Sequence, residues 1–183
     1  MGILMLALLC GCNNNYVPKP RGYFRFDFPQ KQYVALANNF PYTFEYPAYG
    51  ISVKDTDKNA EPYWMNIEFK HFRAKIHLSY KSVNKNVSTF IEDAHSLAYK
   101  HSVKADAIET KLIADKERNV YGLLYEIEGN AACSVQFYAT DSVRHFLRGA
   151  LYFDCSTNKD SLEPAIQFFQ QDIDHLIKTL HWK

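Results

Sequence analysis

The spacing of apolar and polar residues divides this chain into strands and helices. Tyr42, Phe44 and Tyr46 alternate with Thr43 and Glu45, and Ile51 and Val53 with Ser52 and Lys54, which predicts two strands around a turn from Pro47 to Gly50. The polar run Asp55 to Pro62 reads as a loop. Met65, Ile67 and Phe69 alternate with Asn66, Glu68 and Lys70, and Ile76, Leu78 and Tyr80 with Lys75, His77 and Ser79. That pattern predicts an antiparallel pair with one wet face. The period then becomes helical: Val87, Phe90, Ile91, Ala94, Leu97, Ala98 and His101 fall on one face, with Thr89-Phe90-Ile91-Glu92 reading as a capping box. Strand patterns return over Ile108 to Ala114, Val120 to Glu128, Ala132 to Thr140 and Arg144 to Asp154, with turns at Gly129-Asn130 and Asp141-Ser142. Leu162, Ala165, Ile166, Phe169, Ile173, Leu176, Ile177 and Leu180 form a closing amphipathic helix opened by Asp160-Ser161-Leu162-Glu163-Pro164.

Strands, helix, strands, helix is an α+β order. A single antiparallel sheet with two amphipathic helices packed on it would bury every apolar stripe, in one domain over residues 31–183. The order is similar, as topology alone, to the PsbP-like α/β/α sandwich, a likeness that says nothing about chemistry.

Upstream of this pattern the chain reads as an export signal and a tether. Residues Ile3 to Leu9 are all apolar, enough for a secretory h-region and far short of the ~20 residues of a spanning helix. Leu9-Cys10-Gly11-Cys12 has the spacing cut by lipoprotein signal peptidase, so residues 1–11 are read as signal and Cys12 as the lipidated first residue. Cys10 competes, but Leu8 and Leu9 before it are too bulky for the cleavage pocket. The segment departs from an ordinary signal in carrying no Lys or Arg before Lys19. Acyl chains contribute ~0.8 kcal/mol per buried CH₂, so a multiply acylated cysteine holds a domain at a membrane. Residues 12–30 form an arm stiffened by Pro18 and Pro20, in which Lys19, Arg21, Tyr23 and Arg25 are candidate partner-binding residues. Tyr23, Phe24, Phe26 and Phe28 are expected to dock on the domain, and a purely structural arm fits the same residues.

Composition adds two constraints. An apolar content of 47% and an aromatic content of 15% describe a well-folded chain, and 21 basic against 20 acidic residues leave a formal charge of +1. That balance provides no field for nucleic acid, so recognition has to be local. Two of the four cysteines lie in the signal region, leaving Cys133 and Cys155, which export would permit to bridge. A three-residue turn at Asp141 to Val143 would pair Cys133 with Leu151 and leave Cys155 on the order of 13 Å away at ~3.3 Å per residue. A bridge needs ~7 Å or less, so two small buried thiols are expected.

No phosphate loop, GxGxxG, HExxH, GxSxG or CxxC occurs, and no cofactor or metal is implied. His71 and His77, like His95 and His101, miss the i, i+4 spacing of a helical zinc clamp. Glu126 and Glu128 share a strand face at ~6–7 Å, within reach of paired-carboxylate chemistry, yet Leu123, Tyr125 and Ile127 mark the opposite face as core and plain exposure accounts for both. Arg148, Tyr152 and Asp154 read as outward residues in the same way. A non-enzymatic role follows by elimination.

Four blocks carry a family resemblance: Tyr16 to Arg25, Pro41 to Pro47, Trp64 to Lys70, and Gln136 to Ser142 continuing through Arg148 to Phe153. Together they resemble the gliding motility-associated lipoprotein GldD family of Bacteroidota across the mature chain. The resemblance implies a membrane-anchored envelope lipoprotein required for gliding, with lipid on Cys12 and with other gliding or type IX secretion envelope proteins as partners. It brings no catalytic residues. Surface-exported lipoproteins of that phylum resemble each other in an acidic stretch after the anchor. Asn13 to Asn15 are neutral, which favours a periplasmic domain and leaves inner or outer membrane open. The alternative is a periplasmic ligand-binding or glycan-acting lipoprotein.

Overall fold

The structure, a computed structural model, describes residues 27–37, 39–154 and 159–183. Its strands are β1 (Tyr33–Ala35), β2 (Tyr42–Thr43), β3 (Glu45–Pro47), β4 (Ile51–Lys54), β5 (Met65–Phe69), β6 (Ala74–Ser82), β7 (Ala105–Asp115), β8 (Val120–Gly129), β9 (Cys133–Thr140), β10 (His145–Phe153) and β11 (His181–Trp182). The helices are α1 (Val87–Tyr99) and α2 (Lys159–Lys178). Period-two alternation across residues 51–82 and 105–153 yields a seven-stranded antiparallel sheet in the order β4-β5-β6-β10-β9-β8-β7.

The expectation of a single sheet is corrected. β1 pairs with β3 and β2 with β11, giving two short ribbons beside the main sheet. The cause lies in the burial of Leu36, Tyr42 and Phe44, which belong to the core beneath α2. Their segment lies in the helix layer, so its backbone groups bond to neighbours there and not to the edge strand β4. The strands flanking Pro47 to Gly50 consequently do not pair with each other.

The two faces of the sheet are covered unequally. On one face, Met65, Ile67, Phe69, Ile76, Leu78, Val120, Leu124, Val135, Phe137, Leu147 and Leu151 meet Phe169, Ile173, Leu176 and Leu180, all buried. Each such side chain contributes about 1.5–3 kcal/mol of transfer free energy, which makes this layer the main source of stability. On the other face, α1 sets Ala94 and Ala98 against Tyr125, Ile127, Tyr138 and Phe146 of β8, β9 and β10, with Ala105 and Ile108 of β7 packed alongside.

Local details depart from the sequence reading in three places. α1 starts at Val87, before the proposed capping box; Asn86 takes the cap position with no side-chain bond to the helix. Asn86 Oδ1 instead accepts the backbone N–H of Asn84 at 2.8 Å. The β9–β10 connection is longer than a three-residue turn, because Asp141 Oδ1 accepts the N–H groups of Val143, Arg144 and His145 at 3.0, 2.8 and 2.8 Å. A register shift further along then places Cys133 opposite Tyr152, while Val135 stays opposite Leu151. Cys133 is buried with a free thiol that burial pushes up to about 12. Cys155 lies outside the described residues.

Candidate functional site

Because α1 packs over the β7–β10 part of its face, the same face of β5, β6 and part of β10 is left open. Alternation puts Asn66 and Glu68 of β5, and Lys75, His77, Ser79 and Lys81 of β6, on that side. Register sets Ser79 opposite Arg148, Lys75 opposite Tyr152, and His77 opposite Ala150, which in turn faces Gln136. The outcome is a polar floor beside an apolar helix.

Three depressions run together across this floor. A cleft of about 320 Å³ against α1 is lined by residues including Trp64, Phe90, Leu97, Phe146 and Arg148. It shares Trp64 and His77 with a second depression of about 380 Å³ bordered by Asp55, Asp57 and Lys75. It shares Tyr152 with a third of about 650 Å³, where Glu68, Arg73 and Asp154 stand. Together they make a trough from the α1 lip to the Arg73 end of the sheet.

The polar groups of the trough are held unevenly. His77 Nδ1 lies 2.9 Å from Asn66 Oδ1 and 3.3 Å from Asp55 Oδ2, and burial lowers its pKa against the pull of Asp55. Trp64 donates Nε1–H to Tyr80 O at 2.9 Å and packs edge-on against His77, which fixes one wall. Lys81 is paired with Glu61. Arg148 donates from Nη2 to Gln136 Oε1 at 2.5 Å, while Arg148 Nε and Gln136 Nε2 are buried without any hydrogen-bond partner. Burial raises the Tyr152 hydroxyl, with Arg148 opposing. The sequence placed Arg148 and Tyr152 on the outward side, which holds, but Arg148 is half-buried at the floor of a cleft.

Glu126 and Glu128 do not form an open pair. Glu126 points to the α2 side, where it accepts hydrogen bonds from Lys111 and Gln170, so solvent exposure does not describe it; Glu128 is exposed. Leu123, Tyr125 and Ile127 belong to a core face as expected, the one under α1, but Val120 and Leu124 are buried on the α2 side, so both faces of β8 are covered. Among the described residues no group of three or more His, Cys, Asp or Glu could hold a metal ion. No described helix is long and apolar enough to cross a membrane.

The expected anchor Cys12 and the arm residues Lys19, Arg21, Tyr23 and Arg25 lie outside the described residues. The junction after them is described. Phe28 stacks on Phe168 at 4.3 Å and on Phe72 at 5.8 Å between centroids, so this one of the arm's four aromatics docks as expected. Next to it Asp172, fully buried on α2, accepts hydrogen bonds from Lys31 Nζ at 2.7 Å, Tyr33 OH at 3.0 Å and Tyr49 OH at 2.5 Å. Burial lowers Lys31, which Asp172 resists; burial first and then Asp172 push Tyr33 up to about 12. This cluster was missed in the sequence, although Asp172 falls at core spacing between Phe169 and Leu176.

Comparison with known proteins places these features. The solution structure of cyanobacterial PsbP (CyanoP) from Synechocystis sp. PCC 6803 is similar, with 11% sequence identity and a TM-score of 0.53 over 87% of this chain and 97% of that chain. At that identity the likeness is one of fold, and it bears out the α/β/α topology. No curated protein matches the sequence. The family described as gliding motility lipoprotein GldD matches residues 13–182, nearly the whole chain. The chain belongs to the gliding motility lipoprotein GldD family.

Proposed function

We propose that this gliding motility lipoprotein is a non-enzymatic interaction component of the gliding and type IX secretion apparatus, held at the envelope by lipid on Cys12 with its domain in the periplasm. The observation that supports this reading is the half-covered sheet. A face that α1 covers over β7–β10 is left open over β5 and β6, with charged, aromatic and hydrogen-bonding side chains along a continuous trough. A protein partner would contact the trough, and Lys19, Arg21, Tyr23 and Arg25 of the arm would add a second contact. A second reading, a periplasmic ligand-binding lipoprotein, draws on the size of the cleft beside α1, about 320 Å³, which is within the range of small-ligand sites.

In-cell photo-crosslinking from positions 23 and 97, followed by mass spectrometry of the adducts, separates the two. Discrete protein adducts from position 97 that vanish when Cys12→Ala removes the anchor are the expected result. Adducts from neither position would rule out the interaction reading, and a small-molecule adduct at position 97 would support the second.

A further inference from the structure

We propose that the α1-side cleft is a receptor for a single carboxylate on an extended segment of a partner protein, with Arg148 as its charge partner. The inference rests on reading the trough as an interaction surface and assigns the chemistry of what it takes.

Arg148 lines the cleft, and its guanidinium meets neutral partners: Nη2 donates to Gln136 Oε1 at 2.5 Å, and the Tyr152 hydroxyl stands against it. Among the described residues no carboxylate lies within ion-pair distance of it, whereas Lys81 has Glu61 and Arg73 has Asp154. Gln136 is only 1% exposed, yet its amide nitrogen is unpartnered, as is Arg148 Nε. Buried donors left without acceptors are disfavoured, and two adjacent ones leave a shortage of lone pairs. Both of these nitrogens are sealed from solvent, so a ligand would meet the outer N–H groups of Arg148, which is only partly buried and lines the cleft; guanidinium matches a carboxylate there as a two-pronged donor. Phe90, Leu97 and Phe146 along the lip offer apolar contact to flanking side chains, and water-poor walls strengthen the charge interaction. The continuation of the cleft into two further depressions gives the trough the length for a peptide strand and not for an isolated small acid.

The register allows a test that needs no knowledge of the ligand. Ser79 lies directly opposite Arg148. Ser79→Asp puts a carboxylate on the neighbouring strand, close enough to occupy the guanidinium from within. In an otherwise wild-type chain it is expected to raise Tm by about 2–4 °C. In an Arg148→Gln background the same change is expected to lower Tm. A fall in both backgrounds would overturn the assignment of Arg148 as a carboxylate receptor.

The second arm uses a random dodecapeptide library displayed on phage and panned on the full chain. Asp- and Glu-containing peptides are expected to be selected by the wild type and lost at least tenfold with Arg148→Gln and with Ser79→Asp, while Arg148→Lys retains part of the binding. Circular dichroism of each variant confirms the fold. Peptides selected without acidic residues but lost with Leu97→Ser would sink the carboxylate and leave the interaction surface standing. Absence of any Leu97-dependent peptide would sink both.

Discussion

Two glycines carry constraints out of proportion to their size. A Cβ at Gly149 would stand 2.1 Å and 2.4 Å from ring atoms of Phe137, which is itself 1% exposed. Gly149→Ala is expected to destabilise by about 1–3 kcal/mol in urea denaturation. Combining it with Phe137→Leu should recover part of the loss; no recovery would mean the clash lies elsewhere. At Gly122 the Cβ would meet the backbone oxygen of Tyr138 at 1.9 Å, so Gly122→Ala is expected to cost more, since a strand cannot yield as a ring can. Neither constraint is legible in the sequence, because Phe137 and Tyr138 become neighbours only through strand pairing. Asp141 is the opposite case, flagged as a turn residue by local chemistry alone. Burial pushes its carboxyl up, but the N–H groups of His145, Arg144 and Val143 together hold it below its ordinary value of 3.8. A carboxylate depressed in the folded state stabilises above its unfolded pKa, and that stability is lost as pH falls through the folded value. Asp141→Asn should therefore cost about 1–2 kcal/mol at neutral pH, after discount for its partial exposure. The difference from wild type should shrink below about pH 4; a pH-independent gap in thermal melts would contradict the assignment.

At the scale of elements, the attachment of the segment around Lys31 and Tyr33 to α2 depends on one buried carboxylate. Asp172 is fully buried and Lys31 largely so, and Lys31 Nζ also donates to Phe168 O at 2.7 Å and sits 3.3 Å from the centre of the Phe168 ring. Removing one partner of a buried pair leaves the other uncompensated. Asp172→Ala is expected to destabilise by about 3–5 kcal/mol, and the Lys31→Met, Asp172→Leu pair by clearly less than the sum of its single changes. Additive costs would show that the two do not act together. The amphipathic stripe of α2 was readable because local spacing decides it. The ribbons β1–β3 and β2–β11 were not, because each joins segments whose pairing is set by what covers the helix layer. The polar trough lay between these cases: alternation identified Lys75, His77 and Ser79 as one wet face, but the half-coverage that turns this face into a site depends on where α1 lands.

For the molecule as a whole, the docked Phe28 relates the tether to the trough. Phe72, on which it stacks, directly precedes Arg73, and Arg73 lines the trough's far end. Under the proposed anchoring at Cys12, Phe28 joins the domain beside the end where the trough opens, and the arm length would set how far that opening stands from the membrane. Cys12 to Phe28 reaches at most about 50 Å at ~3.3 Å per residue. If the trough meets a partner at the same membrane, its effective concentration there falls with roughly the −3/2 power of tether length. Twenty Gly/Ser residues inserted between Gly22 and Tyr23 should then lower partner encounter about threefold, and sixty about tenfold. Surface spreading is expected to decline in that order. Domain Tm and recovery in the membrane fraction should stay unchanged, because the insertion lies outside the Phe28 and Asp172 contacts. Undiminished spreading with sixty inserted residues would show that the lipid supplies anchorage alone, and that the trough's partner reaches it without a fixed height above the bilayer.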